Sequence, residues 1–196
     1  MHYYIYSLVC FLLPGTVWLI WNKGMIADKA YKVRHIIWIY IYLFYGYLAV
    51  QEAAGIGTIW DLIAYGKLDN SINLIPISSE GAMTYILNII MFMPLGFLLP
   101  LIWKNFRNAK KVVLMGFLMS LAIEICQLFN IRTTDIDDLM MNTLGTLVGY
   151  CCWKVFSLIF RNAGTKCVEM KKSEPVIYMF GGILGLFLLY NWRVFN

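Results

Sequence analysis

The stretch 83–103 contains no charged residue. An uncharged run longer than about 17 apolar residues is what one helix needs to cross the hydrocarbon core of a bilayer. Several more follow the same rule. Stretches 3–21, 36–51 and 176–192 carry no charge, 112–129 carries only Glu124, and 139–160 carries only Lys154. The second run can be extended past Glu52 toward Trp60. These stretches predict six transmembrane helices, five at the least. Composition agrees. Hydrophobic residues make up 61% of the 196 and charged residues 14%, with a mean hydropathy of +0.68. A soluble domain is roughly 45–50% apolar and about 25% charged. So short a chain has too little interior to hide that excess, and it is far too apolar to be disordered. The predicted fold class is all-α, a multi-pass integral membrane helical bundle.

The connecting segments orient the bundle. Those between spans one and two, three and four, and five and six hold twelve basic residues: Lys23, Lys29, Lys32, Arg34, Lys104, Arg107, Lys110, Lys111, Arg161, Lys166, Lys171 and Lys172. The opposite side holds only Lys67, Arg132 and Arg193. The positive-inside rule places the basic side in the cytoplasm and, with six spans, both termini outside. Asp61, Asp69, Glu80, Asp135, Asp137 and Asp138 fall on the outer side, and Trp60, Trp103 and Trp192 sit at span ends. The net charge of +5 is then a consequence of topology. It predicts contact with anionic membrane lipid and no nucleic-acid partner. The first apolar run has no basic residue before it, so it reads as a retained helix and not as a cleaved signal peptide.

The five cysteines include no C-x-x-C pair, and Cys10, Cys126, Cys151 and Cys152 lie inside apolar runs, where a thiol acts as a small hydrophobe. His2 and His35 are far apart in sequence. No disulfide framework, metal or cofactor is expected.

The polar residues inside spans three to five carry more information. Glu124 lies roughly 9 Å below the outer end of its helix at about 1.5 Å per residue. Gln127 follows at i+3, and the same face continues inward through Ser120 and Gly116. On the next span, Asp138, Asn142, Gly145 and Gly149 repeat the pattern at +4, +3 and +4. Asn88 lies near the outer end of span three, and Arg132, Asp135 and Asp137 occupy the short outer connection. Polar, small-residue stripes face other helices and not lipid. An ionisable group in hydrocarbon is costly and marks a candidate site. Several plainer roles stand beside that one. Thr134 or Asp135 suits an N-cap, and Asp137 suits a cap or a solvated charge. Asn88 and Asn142 suit hydrogen bonds between helices, and Gly116, Gly145 and Gly149 suit close packing. Pro94 and Pro100 suit a kink in span three.

The ordered set Asn73-Leu74-Ile75-Pro76, Asn88-x-x-Met91-Phe92-x-Pro94-Leu95-Gly96, Glu124-x-x-Gln127 and Arg132-x-x-Asp135-x-x-Asp138-x-x-x-Asn142-Thr143-x-Gly145 resembles the VanZ-like family. The likeness is clear over about residues 70–155. Together with the six predicted spans, it divides the chain into three parts: two N-terminal transmembrane helices in 1–60, a VanZ-like core with three in 61–160, and a cytoplasmic loop with the last helix in 161–196. It further implies a small multi-pass protein of the bacterial cell membrane. The family's founding member gives low-level resistance to teicoplanin, a lipid-tailed glycopeptide. The family's polar positions fall here on Asn73, Pro76, Asn88, Glu124, Gln127, Asp135, Asp138 and Asn142, with Arg132 common in the wider family.

Two functional readings follow. In the first, Asn73, Asn88, Glu124, Gln127, Arg132, Asp135, Asp138 and Asn142 bind a lipid-linked cell-wall precursor headgroup or the lipoglycopeptide itself, with Arg132 suited to an anion. In the second, Glu124, Asp135 and Asp138 are catalytic carboxylates of a membrane-embedded hydrolase or transferase acting on a lipid-linked envelope substrate. A transporter, aided by homodimerisation, and a purely structural stripe are weaker alternatives.

Overall fold

The computed structural model describes residues 2–22, 29–65, 72–77, 81–129, 134–160 and 171–195. Among these, the helices are α1 (His2–Asn22), α2 (Lys29–Tyr47), α3 (Ile59–Tyr65), α4 (Ala82–Ile102), α5 (Ala109–Gln127), α6 (Ile136–Ile159) and α7 (Glu174–Leu189). Each apolar stretch read from the sequence is helical over most of its length. Three helical segments are long and apolar enough to cross a membrane by length and composition: His2–Asn22, Lys32–Gln51 and Ala82–Ile102. The apolar α7 is shorter, and α5 and α6 carry the buried polar side chains described below. Large apolar side chains are left uncovered around the bundle, among them Trp21 (86% exposed), Ile63, Leu158 and Ile159. Acyl chains can solvate such a surface and water cannot, so this is a membrane protein.

Local chemistry sets the helix ends. Asp135 is the N-cap of α6: its side chain accepts from the Asp137 backbone N–H at 2.9 Å. Asn108 caps α5 in the same way, accepting from Lys110 N–H. The extension expected past Glu52 toward Trp60 changes pitch and stops at Ala54, and Trp60 lies in the separate helix α3. Leu48–Ala54 forms a π-helical turn that ends at Gly55, whose φ of 63° is open to glycine at little cost. Before α4 and α6, two short strands, β1 (Ile72–Asn73) and β2 (Thr134–Asp135), pair in parallel, with Ile72 opposite Thr134 and Asn73 opposite Asp135.

The largest interface is between α4 and α6. There a Cβ on Gly96 would stand 2.0 Å from the Thr146 carbonyl oxygen. One on Gly145 would stand 2.3 Å from that of Ile89, and one on Gly149 2.0 Å from that of Met93. Backbone meets backbone, which only hydrogen in place of a side chain allows. The second interface joins α1 to α7, where a Cβ on Gly185 would stand 2.3 Å from the Cys10 carbonyl oxygen. At the α7 start, Glu174 is fully buried. It accepts from Trp103 Nε1 at 3.1 Å and Tyr178 OH at 3.2 Å, and lies 2.8 Å from His35 Nε2. This cluster ties α7 to α2 and to the end of α4. The sequence reading passed over it, because its members come from three distant parts of the chain.

Candidate functional site

The α5 face read from the sequence points into the bundle: Glu124, Gln127, Ser120 and Gly116 are all buried. It meets α6 at two levels. Gly116 lies against Thr146, where a Cβ would meet Oγ1 at 2.2 Å. One level up, Asn142 Nδ2 donates to Ser120 Oγ at 2.9 Å. Above that sits Glu124, whose Oε2 accepts from the Asp135 backbone N–H at 3.2 Å, while the Thr134 hydroxyl donates to the Glu124 carbonyl at 3.4 Å. A one-turn shift of α6 would break these bonds together, because they fix its register against α5.

Asp138 and Asn88 join α6 to α4, with Asn88 Nδ2 donating to Asp138 Oδ1. Gln127 reaches the other way, donating from Nε2 to the Ala54 carbonyl at 3.0 Å. The π-helical turn after α2 thus becomes part of the same assembly. Between these elements lies a cavity of about 520 Å³ lined by Ala54, Thr84, Leu87, Asn88, Ile90, Met91, Ile123, Glu124, Gln127, Asp138 and Asn142. That volume falls within the usual range for a small-molecule site, roughly 300–1,000 Å³.

Five of the expected residues, Asn88, Glu124, Gln127, Asp138 and Asn142, share this wall. Asn73 and Asp135 are not among the lining residues. They stand beside it as support. Asn73 Nδ2 donates to Asp135 Oδ2 at 3.1 Å, and Asn73 Oδ1 accepts from the Ile75 N–H at 3.1 Å. Of the two N-cap candidates, Asp135 has the role, and its backbone N–H holds Glu124. Arg132 lies outside the described residues.

Asp137 is neither the cap nor a solvated charge. It is fully buried, accepting from the Ile77 N–H at 2.6 Å and from Tyr85 OH at 2.8 Å. It therefore pins the segment before α4 and the first turns of α4 to the start of α6. Ile77 is held at φ 59°, a left-handed conformation that costs a β-branched residue roughly 1–2 kcal/mol. Tyr85 was the readable clue, since it stands three residues before Asn88 on one face of α4. Nothing local in the sequence separates Asp137 from its acidic neighbours.

Chemically, the wall offers two carboxylates, Glu124 and Asp138, with amides and aliphatic side chains around them. Among the described residues no group of three or more His, Cys, Asp or Glu side chains could hold a metal ion. No solved structure matches this chain. A curated protein of Enterococcus faecium, Protein VanZ, is 34% identical over 134 residues, which are 67% of this chain and 77% of that protein. The family model described as VanZ/LLP1 matches residues 4–157, a range that takes in every side chain lining the cavity. With its polar residues gathered where α4, α5 and α6 meet, this chain belongs to the VanZ/LLP1 family.

Proposed function

We propose that this chain is a multi-pass protein of the bacterial cell membrane that lowers susceptibility to teicoplanin-type lipoglycopeptides. It does so by binding a cell-wall precursor headgroup, or the drug, in the cavity between α4, α5 and α6. Family membership supports the resistance role. The observation that carries the binding role is the cavity itself: about 520 Å³, with Glu124, Asp138 and three amides converging on it among aliphatic side chains. The basic connections at the far ends of the helices favour an outward-facing mouth. A structural stripe alone explains this poorly, since interhelical hydrogen bonds in membranes contribute only about 0.6–2 kcal/mol each.

The test is drug susceptibility of cells carrying Glu124→Gln or Asp138→Asn at wild-type membrane levels. Loss of the protective effect is expected, and unchanged protection in both variants would refute the binding role. The juxtaposed carboxylates also favour a second reading, a hydrolase or transferase in which one acts as acid and the other as base. Reconstituted protein that leaves polyprenyl-linked substrates intact, with and without Mg²⁺, eliminates it.

A further inference from the structure

The sign and hydrogen-bonding sense of the cavity wall limit what can enter it. Its described lining holds two carboxylates, Glu124 on α5 and Asp138 on α6, and no lysine, arginine or histidine. The amide nitrogens of the wall are turned onto the protein: Asn88 toward Asp138, Gln127 toward the Ala54 carbonyl, and Asn142 toward Ser120. With those nitrogens engaged, the amide oxygens are the acceptors that remain. Asn142, only 3% exposed, keeps its Oδ1 without a hydrogen-bond partner among the described residues. A buried acceptor left unmade costs about 1–3 kcal/mol, which a donor from a ligand would recover. The apolar half of the lining adds a second limit. Leu87 and Ile90 both line the cavity and are 56% and 55% exposed, so it opens past α4 toward the surrounding lipid.

We propose that this cavity recognises a primary ammonium group on an amphiphile whose tail lies along the lipid-facing side of α4. The inference rests on the reading of this cavity as the ligand site. A primary ammonium has three N–H donors and no acceptor, and the wall answers with three acceptors: Glu124, Asp138 and Asn142 Oδ1. In a low-dielectric site a carboxylate is held best by a cation that also hydrogen-bonds to it. A phosphate or pyrophosphate would meet charge of its own sign. The ammonium can belong to a bilayer lipid headgroup or to a lipid-tailed antibiotic.

The experiment uses the full chain in phosphatidylcholine nanodiscs, with empty nanodiscs as reference. Saturable binding of dodecylammonium, dodecyltrimethylammonium and dodecyl phosphate is measured. Dodecylammonium is expected to bind. Dodecyltrimethylammonium, which keeps the charge and lacks N–H donors, is expected to bind at least about tenfold more weakly, the loss of one charged hydrogen bond. Dodecyl phosphate is expected not to saturate. Glu124→Gln and Asp138→Asn each weaken dodecylammonium by about tenfold or more. Leu87→Trp, at a half-exposed position where folding tolerates bulk, blocks the mouth and abolishes it. Replacing the lipid by phosphatidylethanolamine distinguishes the sources. Competition identifies a headgroup amine, whereas displacement by a lipoglycopeptide but not by its N-acetylated form identifies the drug. Equal or tighter binding of dodecyl phosphate, or dodecylammonium binding that all three variants leave unchanged, overturns the inference. If dodecyl phosphate binds and Leu87→Trp blocks it, the cavity remains the ligand site and only the ligand class is wrong. If no probe saturates and Leu87→Trp leaves drug susceptibility unmoved, both fall.

Discussion

Gly149→Ala sets two effects against each other, and the structure decides the sign. In a helix interior, alanine is favoured over glycine by about 0.5–1 kcal/mol, so propensity alone predicts a stabler protein. At Gly149, however, the new methyl would stand 2.0 Å from the Met93 carbonyl oxygen and 3.0 Å from Met93 Cα. These are backbone atoms of α4, with no rotamer to swing aside. Relief requires the two helices to part by roughly 1.5 Å, since carbon needs about 3.5 Å from its neighbours. Gly96 and Gly145 bring the same two helices to backbone contact, so that parting opens the interface along its length. Overpacking of this kind costs about 1–3 kcal/mol, and a clash against backbone lies at the upper end of that range, which leaves a net loss of about 2 kcal/mol. Gly181→Ala is the control. It lies within α7, where the nearest atom to a new Cβ is Pro14 Cβ at 3.4 Å, an ordinary contact. There the propensity gain of about 0.5–1 kcal/mol should survive. Purified protein in dodecyl maltoside is unfolded with increasing sodium dodecyl sulfate and followed by circular dichroism. Gly149→Ala should unfold earlier than wild type and Gly181→Ala later. If Gly149→Ala unfolds with or after wild type, the close approach of α4 and α6 is wrong, and so is the geometry of the cavity they line.

Two further outcomes follow from the buried carboxylates. Asp137→Ala leaves the Ile77 N–H and the Tyr85 hydroxyl without this acceptor, at about 1–3 kcal/mol each. Amide exchange at Ile77 should accelerate in it, and Tyr85→Phe should lose less than half as much stability in the same unfolding titration. Glu174→Ala should destabilise more than His35→Ala, because it strips the acceptor from Trp103 and Tyr178 as well as from His35. Their unfolding midpoints in detergent check the order, and a reversed order would refute it.

Much of the cavity was legible because its signal is local. A carboxylate and an amide at i and i+3 in an apolar run, Glu124 and Gln127, share one helix face whatever the rest of the chain does. The +4, +3, +4 series from Asp138 to Gly149 does the same on α6. Periodicity finds the face but not its occupant. Asp135 and Asp137 read alike on paper, both as acids at a helix start. They separate only because the β1–β2 pairing sets the 72–77 segment beside α6, where Asp135 meets Asn73 and Asp137 meets Ile77.

By itself the sequence determined the helices, their apolar surfaces and the polar faces of α5 and α6. A helix satisfies its backbone hydrogen bonds within one segment, and lipid requires that segment to be apolar. The tertiary structure alone decided which distant groups meet: Gln127 with the Ala54 carbonyl, Asp137 with Tyr85, and His35 with Glu174, 139 positions apart. Such contacts depend on how glycine-lined helices seat against one another, and helical periodicity does not encode that docking. The uncharged run 83–103 marked α4 as a span at once, but only its approach to α6 showed that it forms a wall of the cavity.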